Sequence, residues 1–361
     1  MGLSIPARST LQSWTKDLKM FTGVNPRLLS CIKEILSKLE TMDLDCLITW
    51  DEMSIKEFIE FNKHYDMFEG LVDFGSHGRT LESANEVLVF MIRGINSSWR
   101  FPISYYFSKN ATSSEMLEII VTENIAAVQE IGLRVRLAVC DMSFTNQGLY
   151  RAFSISKSNP GKLFNNQLIY FIHDTPHLIK LVRNNLMKHN FLVKVKKKSK
   201  GRVVWQEQRV RWSHLSSFYS KDKRVTSRMA PRLTDSHIYL KDYSKMKVKL
   251  ATQLFSHSVY AGIMTMCRKK ILKEEFKMTA DFVKRIDEVF DFLNMSSLYN
   301  DKWGRCAAYF YSNLFKLDEY MQFFESISIP TMHKEADFLK GLQLNLSGIK
   351  ALAMDLKKEG Y

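Results

Sequence analysis

The sequence lacks any apolar run able to cross a membrane. Its longest runs, such as Val87–Ile92, fall far short of the ~20 residues a spanning helix needs. The opening MGLSIPARST has no apolar core of a secretion signal, so export is not expected. Cysteine is sparse. Cys31, Cys46, Cys140, Cys267 and Cys306 are scattered, odd in number and never spaced C-x-x-C. That excludes a disulfide framework and a zinc ribbon, and it points to a reducing compartment. Neither G-x-x-x-x-G-K-[ST] nor G-x-G-x-x-G occurs, so the usual phosphate-cradling loops are absent. There is no G-x-S-x-G, no internal repeat and no low-complexity tract.

What is present is apolar mass and localised charge. The 361 residues are 45% hydrophobic and 12% aromatic, enough for a large core and for two domains, or one with a large insertion. The net charge is +14, and it is uneven. Residues 183–228 hold 14 basic and two acidic residues, a net +12, so the remainder of the chain is nearly neutral. A concentrated basic stripe attracts a polyanion, and nucleic acid is the usual one. Its densest part is Lys194, Lys196, Lys197, Lys198, Lys200 and Arg202, the expected DNA-binding residues. The same run also reads as a solvated loop or a localisation signal.

The periodicities divide the chain into a helical leader (1–43), a mixed α/β region (44–190) and a mostly helical region (191–361) opened by the basic segment. In the leader, Leu28, Leu29, Ile32, Ile35, Leu36 and Leu39 recur at helical spacing after Pro26, and Ser9-Thr10 stands where a short helix with Trp14 and Leu18 would begin. The longer helix docks on its neighbour or joins two copies. Leu44–Trp50, Gly70–Phe74, Glu86–Ile95 and Phe101–Phe107 then read as a strand meander. A helix over Ser114–Ile131 ends at Gly132, a strand covers Val135–Cys140, and a helix covers Thr145–Phe153. A strand over Leu168–Ile172 and a helix from Thr175 to about Lys188 follow. A meander followed by α/β crossovers is a mixed sheet flanked by helices, in the order of a ribonuclease H-like fold. Further on, helices are predicted over Asp242–Met266, Met278–Leu293, Ala307–Phe324 and Phe338–Leu356.

Functional residues of α/β sheets gather at strand ends. Asp51 directly follows the first strand, in TWDEMSI, and Asp141 follows a later one, in LAVCDMSFTN. Two carboxylates at adjacent strand ends suit a hard cation such as Mg²⁺ or Mn²⁺, and they equally suit ordinary strand ends. Asp174 follows the last strand; it either completes that carboxylate set or caps the helix starting at Thr175. His173 and His177 flank it, but Pro176 interrupts a shared helix face, so a zinc site is not expected.

Seven ordered segments carry a wider likeness: IPARSTLQSW; LITWDEMSIKE with GLVDFG; EVLVFMIRGINSSWRFPISYYF; LRVRLAVCDMSFTN; HDTPHLIKLVRNNL; RMAPRLTDSHIYLKDYSKMKVKLATQLFSHSV; and EVFDFLNMS. GLQLNLSGIKAL closes the series. With these the chain resembles the P-element transposases and the THAP-domain transposase-derived proteins. The resemblance implies a mixed α/β ribonuclease H-like domain interrupted by a large all-α insertion that binds GTP. It implies nuclear DNA cleavage and strand transfer, with self-association left open. Asp51 and Asp141 fall on the family's first and second catalytic aspartates. Phe290, Asp291 and Asn294 fall on its guanine-reading stretch, with Lys245 and Val259 as further nucleotide contacts. A carboxylate suits guanine, whose N1 and N2 donors adenine cannot supply.

The chain departs from the pattern in two places. Residues 1–43 hold one cysteine and no histidine, so the THAP zinc module is not found there. The family's third catalytic carboxylate, a glutamate preceded three residues earlier by a nucleotide-holding aspartate, lies beyond the region matching GLQLNLSGIKAL, past Tyr361. The expectation is therefore that this polypeptide alone does not cleave or join DNA. Two alternatives stand beside the transposase reading: a domesticated, non-enzymatic nuclear DNA-binding regulator, and a GTP-responsive interaction module.

Overall fold

A computed structural model describes residues 7, 9–10, 21–63, 65–199, 202–295 and 310–360. Trp14, Leu18, Lys200 and the 307–309 part of the helix expected over Ala307–Phe324 lie outside the described residues. No described helix is long and apolar enough to cross a membrane. The chain divides into two compact units, 1–153 with 163–169, and 154–162 with 170–361.

The first unit opens with β1 (Gly23–Val24) and α1 (Pro26–Leu36). Asn25 caps α1, its Oδ1 accepting from the Arg27 and Leu28 amides at 3.1 and 3.2 Å. Leu29, Ile32 and Leu36 are the buried stripe, as their spacing predicts. The strands then run β2 (Asp45–Ser54), β3 (Glu60–Asn62), β4 (Met67–Glu69), β5 (Leu71–Asp73), β6 (Arg79–Ser83), β7 (Glu86–Gly94) and β8 (Arg100–Ser108). After α2 (Ser114–Glu130) come β9 (Arg134–Cys140), α3 (Phe144–Ala152), β10 (Gly161–Phe164) and β11 (Gln167–His173). The main sheet has the order β10-β11-β9-β2-β7-β8-β5-β6, with β1 beside β8, while β3 and β4 form a separate hairpin. The meander is present, but β5 pairs with β8 and β6, leaving β2 to pair directly with β7.

Helices α2 and α3 start on serine caps. Ser113 Oγ accepts from the Met116 amide, and Ser143 Oγ from that of Asn146. Gly132, at φ +94°, ends the first as a C-terminal glycine should. β2 and β9 run parallel, Asp45 opposite Arg134 and Thr49 opposite Val139. A buried ion cluster fixes that register. Asp45, fully buried, places its Oδ1 2.7 Å from Arg134 Nε and 3.0 Å from Arg136 Nε.

The second unit is mostly helical. It contains α4 (Thr175–Lys188), then β12 (Phe191–Ser199) and β13 (Arg202–Val210). Helices α5 (Trp212–Asp222), α6 (Asp235–Ile238), α7 (Asp242–Met246), α8 (Val248–Leu254), α9 (His257–Arg268) and α10 (Phe276–Leu293) follow. α11 (Phe315–Glu325), β14 (Ile327–Ser328) and α12 (Asp337–Lys358) complete it. Two expectations change here. The basic segment is a β-hairpin with β14 as a third strand, so the insertion is not all-α. Val193 and Val195 alternating with Lys194 and Lys196 are a period-2 pattern that favours strand. The single helix expected over 242–266 is three helices. Arg183, fully buried, donates to the Lys245 and Lys247 carbonyls, and Lys247 is extended at φ −77°, ψ 112°. A guanidinium drawing those carbonyls sideways leaves them unavailable to a continuous helix.

The closing motif of the series is a packing device. In α12, Asn345 accepts from the His173 amide at 2.8 Å and donates to the His173 carbonyl at 2.6 Å. A Cβ on Gly348 would lie 2.9 Å from Ile172 Cγ2. The Asn345 amide thus completes a backbone edge, and glycine admits the helix to it.

Asp45 is the buried member of the cluster, while Arg134 and Arg136 are partly exposed and can rehydrate, so losing these charge-assisted hydrogen bonds costs about 1.5–3 kcal/mol. Asp45→Ala should therefore lower the urea midpoint of the first unit by that equivalent at unchanged slope. A variant unfolding with the parent would remove the cluster from the forces that hold β2 to β9.

Candidate cation and nucleotide sites

The parallel pairing of β2 with β9 runs to Thr49 and Val139; Asp51 comes two residues later in β2, paired with Val89 of β7, and Asp141 is the first residue after β9. Asp51 is exposed and Asp141 half-buried. Both are in the first unit; Asp141 directly follows β9 as expected, but Asp51 lies within β2, which continues to Ser54 because β7 pairs with it that far.

Asp141 is held in place. Its Oδ1 accepts from the Ser143 amide at 3.0 Å and from Asn146 Nδ2 at 2.7 Å. Asn146, near the start of α3, in turn accepts from Trp50 Nε1 at 2.8 Å. Trp50 is 2% exposed and stacks on Phe90 with centroids 5.7 Å apart. A buried indole N–H thus orients an amide, and the amide orients the carboxylate.

Sequence reasoning missed two members of this group. Asn146 follows Asp141 by five residues, within the first turn of the capped helix, and that spacing was its only signal. Glu52 adjoins Asp51, and its Oε1 accepts from the Thr112 amide at 2.8 Å. Burial pushes the Glu52 carboxyl up, the Thr112 hydrogen bonds pull it down, and the charges of Glu86 and Asp141 raise it further. Negative charge is therefore concentrated at this end of β2. The donor set is carboxylate oxygen, the chemistry a hard divalent cation takes. Among the described residues no three His, Cys, Asp or Glu side chains form a ready-made cage.

Asp174 caps α4. Its Oδ2 accepts from the His177 amide at 3.1 Å and lies 2.9 Å from His177 Nδ1. Of the two roles open to it in the sequence, the cap is the one seen.

In the second unit, Asp291 is buried at 6% exposure near the C-terminal end of α10, Phe290 is half-buried, and Asn294 is its exposed C-cap. Asp291 and Asn294 are three apart and share a helix face. Lys245 is paired with Asp242 at 2.8 Å on α7. Val259 is 1% exposed in α9, so it is core and offers no surface to a nucleotide. Lys194 and Lys196 are exposed on β12; Lys197, Lys198 and Arg202 lie in the backbone of the same hairpin.

Two family models match parts of the chain. Residues 20–154 match the family model of the TNP-like RNase H N-terminal domain, and residues 176–306 that of the TNP-like GTP-binding insertion domain. The chain is 25% identical over 303 residues to the Transposable element P transposase of Drosophila melanogaster, covering 81% of this chain and 35% of that protein. It is 23% identical over 310 residues to the human DNA transposase THAP9, covering 82% of this chain and 33% of that protein. It spans about a third of the length of these relatives. A solved Drosophila P element transposase strand transfer complex shares its fold, with TM-score 0.74 and 22% identity over 98% of this chain and 74% of that one.

Asn146→Leu should cost the first unit about 1–3 kcal/mol, since it strands the buried Trp50 N–H. Urea unfolding followed by tryptophan emission reads this directly. Unchanged stability would mean that the indole–amide–carboxylate chain holds nothing in place.

Proposed function

We propose, for a chain that belongs to the family of P-element-like transposases with TNP-like domains, that it supplies the DNA-processing and nucleotide-binding parts of a transposase. The observation that supports this is that β2 and β9 are parallel neighbours, with Asp51 two residues past the last paired residue of β2 and Asp141 two past that of β9. These two carboxylates would hold divalent cations, Mg²⁺ or Mn²⁺. Bound there, such ions supply Lewis-acid stabilisation of a phosphoryl oxygen and an acidified water. The chain's own contribution is positional. The Ser143 amide and Asn146 fix one oxygen of Asp141, and Asp51 would approach it from the neighbouring parallel strand. GTP would bind the second unit as cofactor, with Asp291 reading the guanine donors and Asn294 beside it on the same face. A carboxylate can accept from the guanine N1 and N2 donors, which adenine cannot supply, so guanine is favoured over adenine. DNA would be the substrate and the nucleus the place of work.

A second reading, a DNA-binding regulator without chemistry, is favoured by one observation, the exposed lysines of the β12–β13 hairpin. The two readings part on cation binding, which a regulator does not need.

Titration with Mn²⁺, followed by the loss of its free EPR signal, should show binding weakened at least tenfold by Asp51→Asn and by Asp141→Asn. Equal binding by parent and both variants would defeat the cation reading. Asp291→Asn should reduce the preference for GTP over ATP by about tenfold or more, as loss of one charge-assisted pair of hydrogen bonds implies. A GTP preference retained in that variant would place the guanine elsewhere. Duplex DNA should bind with an affinity that falls steeply with salt, and Lys196→Glu, Lys197→Glu and Lys198→Glu together should weaken all sequences alike. Affinity kept with sequence discrimination lost would contradict the backbone-contact role.

A further inference from the structure

The β12–β13 hairpin buries one face. Phe191, Val193 and Val210 are each 1% exposed or less. Register puts Lys194 opposite Glu207 and Lys196 opposite Trp205, and these four alternate with the buried set, so they share the other face. That face is one wall of a cleft of about 910 Å³, completed by Gln322, Glu325 and Ser326 at the C-terminal end of α11. Lys245, Phe290, Asp291 and Asn294 do not line it.

Three features identify its chemistry. Trp205 is 59% exposed, and its indole N–H makes no hydrogen bond among the described residues. An indole presented to solvent in a cleft is a stacking surface for a flat ring. Lys196 Nζ stands 5.2 Å from the centroid of that ring, and Lys194 is two residues along on the same face. A negative group bound beside the stacked ring meets these two ammonium groups. The opposite edge is polar and mixed. The Gln322 amide, exposed and without a hydrogen bond among the described residues, offers both a donor and an acceptor, and Glu207 and Glu325 offer acceptors only. Glu325 is tied at 3.0 Å to Lys157.

Charge then discriminates between ligands. With Glu325 engaged by Lys157, Lys194 and Lys196 face Glu207 alone, so this cleft keeps a weak positive balance. It suits a group that is anionic at one end and carries ring N–H donors at the other. We infer that the cleft is a nucleotide site, in which a base stacks on Trp205 with its polar edge toward Gln322 and its phosphate toward Lys194 and Lys196. The nucleotide comes either free from solution or as an unpaired base of a nucleic acid strand. The second source rests on the DNA-binding reading above. Its volume is within the range of small-ligand sites.

The test uses the full chain and three probes: each of the four nucleoside monophosphates, a fluorescein-labelled 12-nucleotide single strand, and the matching duplex. Tryptophan quenching and anisotropy are read for the parent, Trp205→Ala and Trp205→Phe. Trp205 is exposed, so neither variant should change the melting curve. Stacking on the ring predicts about a tenfold loss of single-strand affinity in Trp205→Ala and near-parental binding in Trp205→Phe. Gln322→Leu should alter the ranking of the four bases, and Lys196→Gln should reduce the salt slope for the single strand by nearly one. Monophosphate binding lost in Trp205→Ala supports the site with a free nucleotide as its source; a single-strand effect without it supports the unpaired base. Trp205→Ala equal to the parent on every probe overturns the inference. If duplex still binds with a steep salt slope in that case, the DNA reading survives the failure of this site. If neither duplex nor single strand binds at any salt, the DNA reading fails, and the monophosphates alone decide the site.

Discussion

The first unit depends on one buried interaction, the Asp45 carboxylate between Arg134 and Arg136. A parallel pair of strands has no hairpin to set its register, and a slip of one residue would turn every side chain to the other face. Asp45 sits at the first residue of β2, and both arginines are within the first three residues of β9. A wrong register would leave the fully buried Asp45 carboxylate without its arginines, which costs several kcal/mol. The ion cluster therefore acts as a register lock at one end of the pair. The carboxylates that depend on that register, Asp51 and Asp141, are at the other end. The apolar stretch between them, Cys46, Ile48, Val135 and Ala138 fully buried, transmits the alignment without contributing any specificity of its own.

Arg183 plays a comparable part in the second unit by different means. Among the described residues, no carboxylate pairs with it. Its guanidinium is satisfied by the Asn184 side chain and by the Lys245 and Lys247 carbonyls, and burial lowers its pKa to about 10. A guanidinium remains charged at neutral pH even there, so the carbonyls serve as its counter-charge. This ties α4 to the junction of α7 and α8. The nearby His237 is buried, and burial with the Arg183 charge lowers its pKa, so it stays neutral while it bonds Thr234 and Gln253.

Much of this was legible in the residues, for reasons that differ by element. α1 and α2 announce themselves because period, cap and stop agree: Asn25 and Pro26 ahead of a leucine–isoleucine stripe, Ser113 and Gly132 around another. Asp51 and Asp141 are legible because strand and turn signals bracket them. The three-helix break at 242–268 is not, because the residue that causes it lies some sixty positions upstream on another helix. The hairpin at 191–210 was obscured by composition: a run of lysines reads as solvated coil until its alternation with valine is counted. Val259 shows the opposite limit. Similarity carried it toward a nucleotide, but at 1% exposure its apolar branch is spent on the core. Asn146 required two strands and a helix to meet, which no local pattern contains.

The basic stripe looks different once each charge has an address. Arg183 is buried among carbonyls, Arg228 is bound to the fully buried Asp222, Lys223 to Asp235, and Lys221 to the Ile271 carbonyl. Arg211 faces Glu275 at 3.9 Å. These side chains are committed to holding the helices that follow the hairpin, so they add little to a field felt by a distant polyanion. The exposed lysines of β12 are not committed in this way, and on the hairpin face they stand beside an exposed indole and two glutamates. A surface of uniform positive charge binds any phosphate chain at any register. A surface where lysine, tryptophan and glutamate alternate rewards a ligand that alternates too, phosphate then base, and the spacing of a β-pleat presents those partners on one side. The segment that composition marks as a generic polyanion patch is, in its folded form, better matched to a nucleotide than to a charge.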